Sequence, residues 1–297
     1  MTIRSVTPQP NYPIDRRTLI LGGAAVALAS RAYPARAGPV TRLRIANDRV
    51  FLPAGIDGVA VEALLDSAAE ATIVDRACAA RIGLRGGEAA TVRGTGAATT
   101  EATLVSGIEL FIAGLRLRPN LVAVIDLGDI SRRLGGRPIE VIIGRGLFDA
   151  ARLAIDLAGA TLRVVDRHAR PPGVRLPLTT RRGIETLPVT IEGAAAHADF
   201  DLGNGGTVLV GAGIASRLLG DGRPTGTIPG GGIGGASVQR TLALRTLDLA
   251  GHRFTGVSAA VDASPTAADA NIGVRLLRHY GLVADFAERS LWLDFRG

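Results

Sequence analysis

Short runs of Val, Ile and Leu, broken every few residues by glycine, recur along most of the chain. From Leu104 the apolar positions fall at period two through Ile108, Leu110 and Ile112, the spacing of a strand with one face buried. Arg49 to Asp66 reads as two strands around an Ile56-Asp57-Gly58 turn, and Thr72 to Val74 as a further strand. Asp75 to Gly83 has the form of a short helix, with Asp75 at its N-cap and Gly83 at its C-cap. Val92 to Ala97 is a glycine turn between extended segments, and Ala113-Gly114 turns a strand into Leu115-Arg116-Leu117. Strands are predicted over 121–125 and 139–143, a short helix over 147–151, and a closing hairpin over 154–156 and 161–165. The fold class this pattern predicts is all-β with few short helices.

One stretch departs from the simple pattern. Leu64-Leu65 runs straight into Asp66, followed by the small residues Ser67, Ala68 and Ala69. An acid at the end of an apolar run is costly to bury unless its charge is stabilised or it stays protonated. Much of this stretch recurs 135 residues later, where Leu187-Pro188 through Ile191, Gly193 and Ala196 to Asp201 aligns with Leu52-Pro53 through Asp66 without a gap. A second block, Ile143-Gly144 through Leu153 to Leu162, aligns with Ile272-Gly273 through Leu282 to Leu291 at a spacing of 129. Two copies of this length, in the same order, indicate a duplicated domain rather than a solenoid.

The expected division is therefore a first half over 41–166, a linker over 167–173 and a second half over 174–297. The linker, Arg167-His168-Ala169-Arg170-Pro171-Pro172-Gly173, is polar, proline-rich and without periodicity. In the second half Thr207 to Val210 is the strand after Asp201, and Ala212 to Leu219 a short helix. Gly230, Gly232 and Gly235 sit where Gly94 and Gly96 sit in the first half. They also fit G-x-G-x-x-G, but strand-like residues 238–249 follow instead of a helix, so a flexible hairpin tip is the better reading.

Residues 1–37 change the charge argument. Arg16-Arg17 precedes an apolar run of about a dozen residues, short of the ~20 that span a membrane, and Ala35-Arg36-Ala37 offers a cleavage site. The segment resembles a twin-arginine export signal, with an ordinary secretory signal as the other reading. It holds five arginines against Asp15, a net +4 of the chain's +7, and leaves +3 for the remainder. The basic residues are arginines spread along the chain with no interleaved aromatics, so nucleic acid is not an expected partner. An exported, periplasmic or extracellular protein without a stable membrane span is expected.

Cys78 is the only cysteine, so no internal disulfide forms. His168, His197, His252 and His279 show no metal-ligand spacing, and no metal is expected. Asp156 and Asp285 match in the repeat but precede tight turns, where Asp commonly bonds its own backbone, and Asp126 and Asp262 at strand ends read the same way. The stretch from Asp126 to Arg137 is longer than its counterpart after Asp262, which predicts that the two halves differ there.

Leu64-Leu65-Asp66-Ser67-Ala68 resembles the Asp-Thr/Ser-Gly/Ala signature of aspartic proteases, and Ile142-Ile143-Gly144-Arg145 resembles the apolar-apolar-Gly element behind that loop in retroviral-type members. The resemblance extends over both halves and implies a retropepsin-like protein fused in one chain. It implies a β-barrel in each half, a cleft between them, and Asp66 and Asp201 meeting on a pseudo-twofold axis as the catalytic pair. Ser67, Ala68, Leu202 and Gly203 would form the active-site loops, with Ser67 supplying a hydroxyl that bonds across to the other half. Gly94, Gly96, Gly230, Gly232 and Gly235 would form flaps over a peptide or protein substrate. No cofactor is implied, and one chain carrying both acids is expected to act as a monomer. The resemblance also implies an ion pair between Glu70 and Arg145. The sequence departs from the signature at Leu202, where Thr or Ser is usual, at Ala68, and at Asp199-Phe200 before the second acid. Two functions remain open at this point: an aspartic endopeptidase, and a non-cleaving peptide-binding protein of the cell envelope with the same fold.

Overall fold

In the computed structural model the described residues are 38–93, 99–134, 137–220, 224–233, 235–264 and 267–297. The expected leader and the first-half flap residues Gly94 and Gly96 lie outside them. The described residues form three sheets joined by short helices. One sheet of ten strands is built from residues between Arg44 and Ile143, and one of eight strands from residues between Thr179 and Ile272. The third has six strands, three from before and three from after the 167–173 segment.

The six-stranded sheet joins the two parts of the chain. Its middle pair is Leu153–Asp156 against Tyr280–Asp285, antiparallel, with Leu153 opposite Ala284, Ala154 opposite Val283 and Ile155 opposite Leu282. At the spacing of 129, Ala154 faces its own counterpart, while Leu153 and Ile155 exchange counterparts. That is the register of a two-fold axis through Ala154 and Val283.

Turn chemistry explains the hairpins within each part. Strands Arg49–Ile56 and Val59–Leu65 are joined by Asp57 and Gly58, with φ 47° and 82°. Strands Ile184–Ile191 and Ala194–Phe200 are joined by Glu192 and Gly193, with φ 53° and 79°. Two successive left-handed residues suit the twist of a tight hairpin, and glycine takes the second without a Cβ penalty.

The core is aliphatic, with few aromatics placed where the halves meet. Phe148 stacks on Phe286 at 4.7 Å, and Phe200 meets both edge-on at 6.4 and 6.3 Å. Beneath them lies a buried charge cluster. Asp285, fully buried, accepts from Arg152 Nε at 3.3 Å and from Arg167 Nε at 2.9 Å. Arg152, 3% exposed, also donates to the carbonyls of Arg167 and Ala169 at 2.7 and 2.9 Å. The polar linker is thereby pinned to the central sheet.

Local differences from the sequence pattern have local causes. The period-two run from Leu104 stops at Val105 and resumes at Leu110, because Gly107 adopts φ 79°. The corresponding stretch after Ala243 has Leu244 there and continues as the strand Gly235–Leu249. The strand expected over 139–143 is Val141–Ile143, and the helix expected over 147–151 is Gly146–Ala150. A helix over Gly128–Arg133, within the long Asp126–Arg137 stretch, has no counterpart in the predicted elements. Among the described residues no helix is long and apolar enough to cross a membrane.

Candidate active site

Asp66 follows the last residue of strand Val59–Leu65. That strand pairs in parallel with Val141–Ile143, which pairs antiparallel with Ile73–Asp75 on its other edge. The strand Val141–Ile143 thus lies between the strands that enter and leave the Asp66 loop, and Asp66 donates its N–H to the Ile143 carbonyl at 3.0 Å. A Cβ on Gly144 would collide with the carbonyls of Ala69 and Ala71, so glycine is what lets this strand run directly under the loop. The Asp66 carboxylate is held from below: Oδ1 accepts from the N–H groups of Ala68 and Ala69 at 2.9 and 3.0 Å.

The second loop is built the same way. Asp201 follows strand Ala194–Phe200, which pairs in parallel with Ala270–Ile272, and its N–H reaches the Ile272 carbonyl at 3.2 Å. Gly273 packs under the loop against the carbonyls of Asn204 and Gly206. Asp201 Oδ1 accepts from Gly203 and Asn204 N–H at 2.8 and 3.1 Å.

The loops touch across the axis. Ser67 Oγ donates to the Phe200 carbonyl at 2.8 Å and accepts from the Leu202 N–H at 2.9 Å. Leu202 puts no hydroxyl into the reciprocal position; its side chain is fully buried in the core. One arm of the bridge is therefore polar and the other is apolar packing. The Asp66 carboxyl lies so close to Gly203 that a Cβ there would overlap it. Asp66 and Asp201 both line one cavity of about 350 Å³.

The hairpin Pro224–Gly232 and Gly235–Leu249 roofs this cavity, with Gly230, Gly231, Gly232 and Ile233 lining it and Gly235 at the turn. Its tip is fastened to the other half. Arg133 Nη2 donates to the Gly232 carbonyl at 2.6 Å, and Thr100 Oγ1 to the Ile233 carbonyl at 3.2 Å. Arg133 belongs to the helix the pattern did not predict, so Gly128–Arg133 forms a landing site of the roof.

The expected Glu70–Arg145 pair is not formed. Arg145 bonds Asp149 through Nε at 3.0 Å and Glu185 through Nη2 at 3.1 Å, and Nη1 reaches the Gly183 carbonyl at 2.7 Å. Glu185 is 1% exposed, and its buried charge takes the nearest guanidinium. Desolvation opposes the charge of Arg145, but these acids hold its pKa above the ordinary value. Arg145 thus ties the first half to the hairpin Thr179–Arg181/Ile184–Ile191 of the second. In the reverse direction, Arg275 Nε of the second half bonds Asp48 of the first at 2.7 Å.

The remaining singled-out acids have structural partners. Asp156 Oδ1 accepts from Gly159 N–H, Asp126 Oδ1 from Gly128 and Asp262 Oδ1 from Ser264, the local bonds of turn aspartates. Among the described residues no group of His, Cys, Asp and Glu could hold a metal ion.

Three residues outside the predicted site set join it in the structure. Asn271 Nδ2 donates to Asp201 Oδ2 at 2.6 Å, and Asn271 Oδ1 accepts from Asn204 Nδ2 at 2.7 Å. Asp199, 6% exposed, lines the cavity beside Asn271 in the strand register. The aligned residues of the first half are Leu64 and Ile142, both buried and apolar. Asp199 already stands out as a departure from the signature, and comparing the repeats at Ile142 and Asn271 would have marked the other. Arg49, at the start of its strand, lines the cavity near both acids.

A family model described as aspartyl protease matches residues 52–147. The match spans the Asp66 loop and the Ile142-Ile143-Gly144 element, and the Asp201 half lies beyond it. No curated protein matches the chain.

Proposed function

We propose that this protein is an aspartic endopeptidase in which Asp66 and Asp201 activate a water against a peptide bond. The single observation that carries the proposal is that both acids, on similarly built loops bridged by Ser67, face one roofed cavity. The family match to the first loop supports the same reading. Two closely placed carboxyls cannot both ionise easily and share one proton. The ionised partner takes a proton from water as the oxygen attacks the scissile carbon, and the protonated partner donates to the carbonyl oxygen.

Asn271 makes the surroundings of the pair asymmetric. Gly203 and Asn204 donate to Oδ1 of Asp201 and Asn271 to its Oδ2. The shared proton belongs to the pair, and neither the acid nor the base role is assigned to one residue. The repeat and the two-fold register support a duplicated origin for the halves, each with its own sheet, and action as a monomer. The first 37 residues are proposed as an export leader, removed after Ala37.

The test is cleavage of an unfolded protein by the exported chain between about pH 3 and 8, the range over which carboxyl pairs titrate. Asp66→Asn and Asp201→Asn should each abolish it while melting like the wild type, and the intact mass of the exported chain should begin at Gly38. A folded chain inactive across this range would favour the second reading, a peptide-binding protein. Its one specific support is that Asn271 already occupies the Asp201 oxygen that a water would use. Loss of activity in Asp66→Asn alone would make the second half a scaffold.

A further inference from the structure

Arg49 is not accounted for by the fold. Burial pushes its guanidinium below the ordinary pKa, yet an arginine stays charged. The charges around it are Asp201, Asp66 and Asp48, with Arg275 opposing. Among the described residues none of these carboxylates forms an ion pair with it: Nε is buried without a hydrogen-bond partner, and Nη1 reaches only the Asn47 carbonyl at 3.4 Å. A half-buried guanidinium with unmet donors is costly unless something completes it.

The surroundings show what is missing. Nη1 lies against Gly205, where a Cβ would overlap it. Gly205 is the fourth residue after Asp201. The fourth residue after Asp66 is Glu70, which lines the same cavity. The first loop thus presents a carboxylate at this position and the second presents bare backbone beside a cation. On the other side, the residue aligned with Arg49 is Ile184, also in the cavity wall. The cleft is cationic on one arm, apolar and acidic on the other.

We infer that Arg49 is a specificity-determining residue, and that its subsite takes an acidic side chain of the substrate, whose carboxylate bonds the guanidinium edge beside Gly205. The inference rests on the peptide-cleft reading above, and it concerns binding as well as turnover. A carboxylate matches the planar fork of arginine with two parallel bonds, which an amide of the same shape cannot do with comparable strength. Asp201 and Asp66 lie near enough to repel a substrate acid elsewhere in the cleft, so the preference should be confined to the Arg49 arm.

The experiment uses two short peptide libraries, alike except that one carries Glu and Asp where the other carries Gln and Asn. Cleavage by the full exported chain is measured near pH 6, where free carboxylates are ionised. Binding of the same libraries to the Asp66→Asn variant is measured in parallel. The acidic library should be preferred about tenfold in both, the size of one charge-assisted contact. The ratio should fall to about one in Arg49→Met and stay within a few-fold of wild type in Arg49→Lys. Gly205→Asp, whose Cβ displaces the guanidinium from this position and whose carboxylate competes for it, should also abolish it and serves if Arg49→Met does not fold. Preference in binding without any cleavage would uphold the Arg49 subsite while the endopeptidase reading fails. Equal use of both libraries by the wild type, or a preference unchanged by these variants, would overturn the inference. A shifted pH profile with an unaltered library ratio would also overturn it, because Arg49 would then only offset the charge of the acids.

Discussion

A single hydroxyl carries the polar contact between the two acid loops. Ser67 is 1% exposed and makes two bonds to the other half, one given to Phe200 and one taken from Leu202. Ser67→Ala strands a buried carbonyl and a buried N–H, at a cost of about 3 kcal/mol in unfolding free energy. Denaturant titration should read that loss, with Ser67→Thr retaining most of the stability because the oxygen is kept. An alanine variant as stable as wild type would mean that water replaces both bonds. Leu202 shows why the missing second hydroxyl is tolerated: its N–H is already satisfied, and its side chain exchanges a polar bridge for core packing. The same scale explains Asn271. A half-buried amide at a position that is Ile142 in the aligned repeat needs a polar partner, and it finds Asp201 on one side and Asn204 on the other.

At the scale of elements, the asymmetry of the cleft comes from one hairpin and one short helix. The hairpin Pro224–Gly232/Gly235–Leu249 is glycine-rich at its end and has Ile228 and Val238 exposed, features of a segment held by few contacts. Its anchor is the charge-assisted bond from Arg133, itself steadied by Asp129 at 2.8 Å, together with Thr100. Arg133→Ala should raise hydrogen exchange of the amides in 228–240 by about tenfold, the worth of one such bond, while the melting temperature moves little. Unchanged exchange in the hairpin would show that Thr100 and the packing of Ile233 suffice. Arg145 and Arg275 do comparable work lower down, each gripping a hairpin of the opposite half. The pairing of Arg145 with Glu70 that the resemblance implied is not formed for a reason of the same kind: a buried acid from a distant strand competes better for the guanidinium.

For the whole molecule, the six-stranded sheet and the charge cluster beneath it decide whether the halves stay in register. Asp285 is shared by Arg152 and Arg167, and Arg152 also binds Glu288 at 2.5 Å. Removing the acid leaves Arg152, 3% exposed, with only the half-exposed Glu288 as a charged partner, a class of change that costs up to about 3–5 kcal/mol. Asp285→Asn should therefore lower stability by that amount and loosen the linker, read as faster proteolysis within 167–173. A variant with wild-type stability and an intact linker would show that the apolar strands of the sheet alone hold the halves. Such a loss would also lower peptide cleavage, because the cavity is walled by both halves.

The strands, their hairpin turns, the capped helix Arg76–Arg81 and the all-β class follow from the sequence alone, because period-two patterning, Asp-Gly turns and an Asp N-cap act over a few residues. The candidates Asp66, Asp201 and Ser67 were legible too, since a repeated acid after an apolar strand stands out against its surroundings. Tertiary structure alone decided which charge meets which. Arg49, Asn271, Asp199, Arg133 and the Glu185 partner of Arg145 sit on elements far apart in the chain. Their roles depend on which side chains the folded sheets bring within a few ångströms, and electrostatic and hydrogen-bond energies fall off too steeply with distance for linear spacing to reveal it.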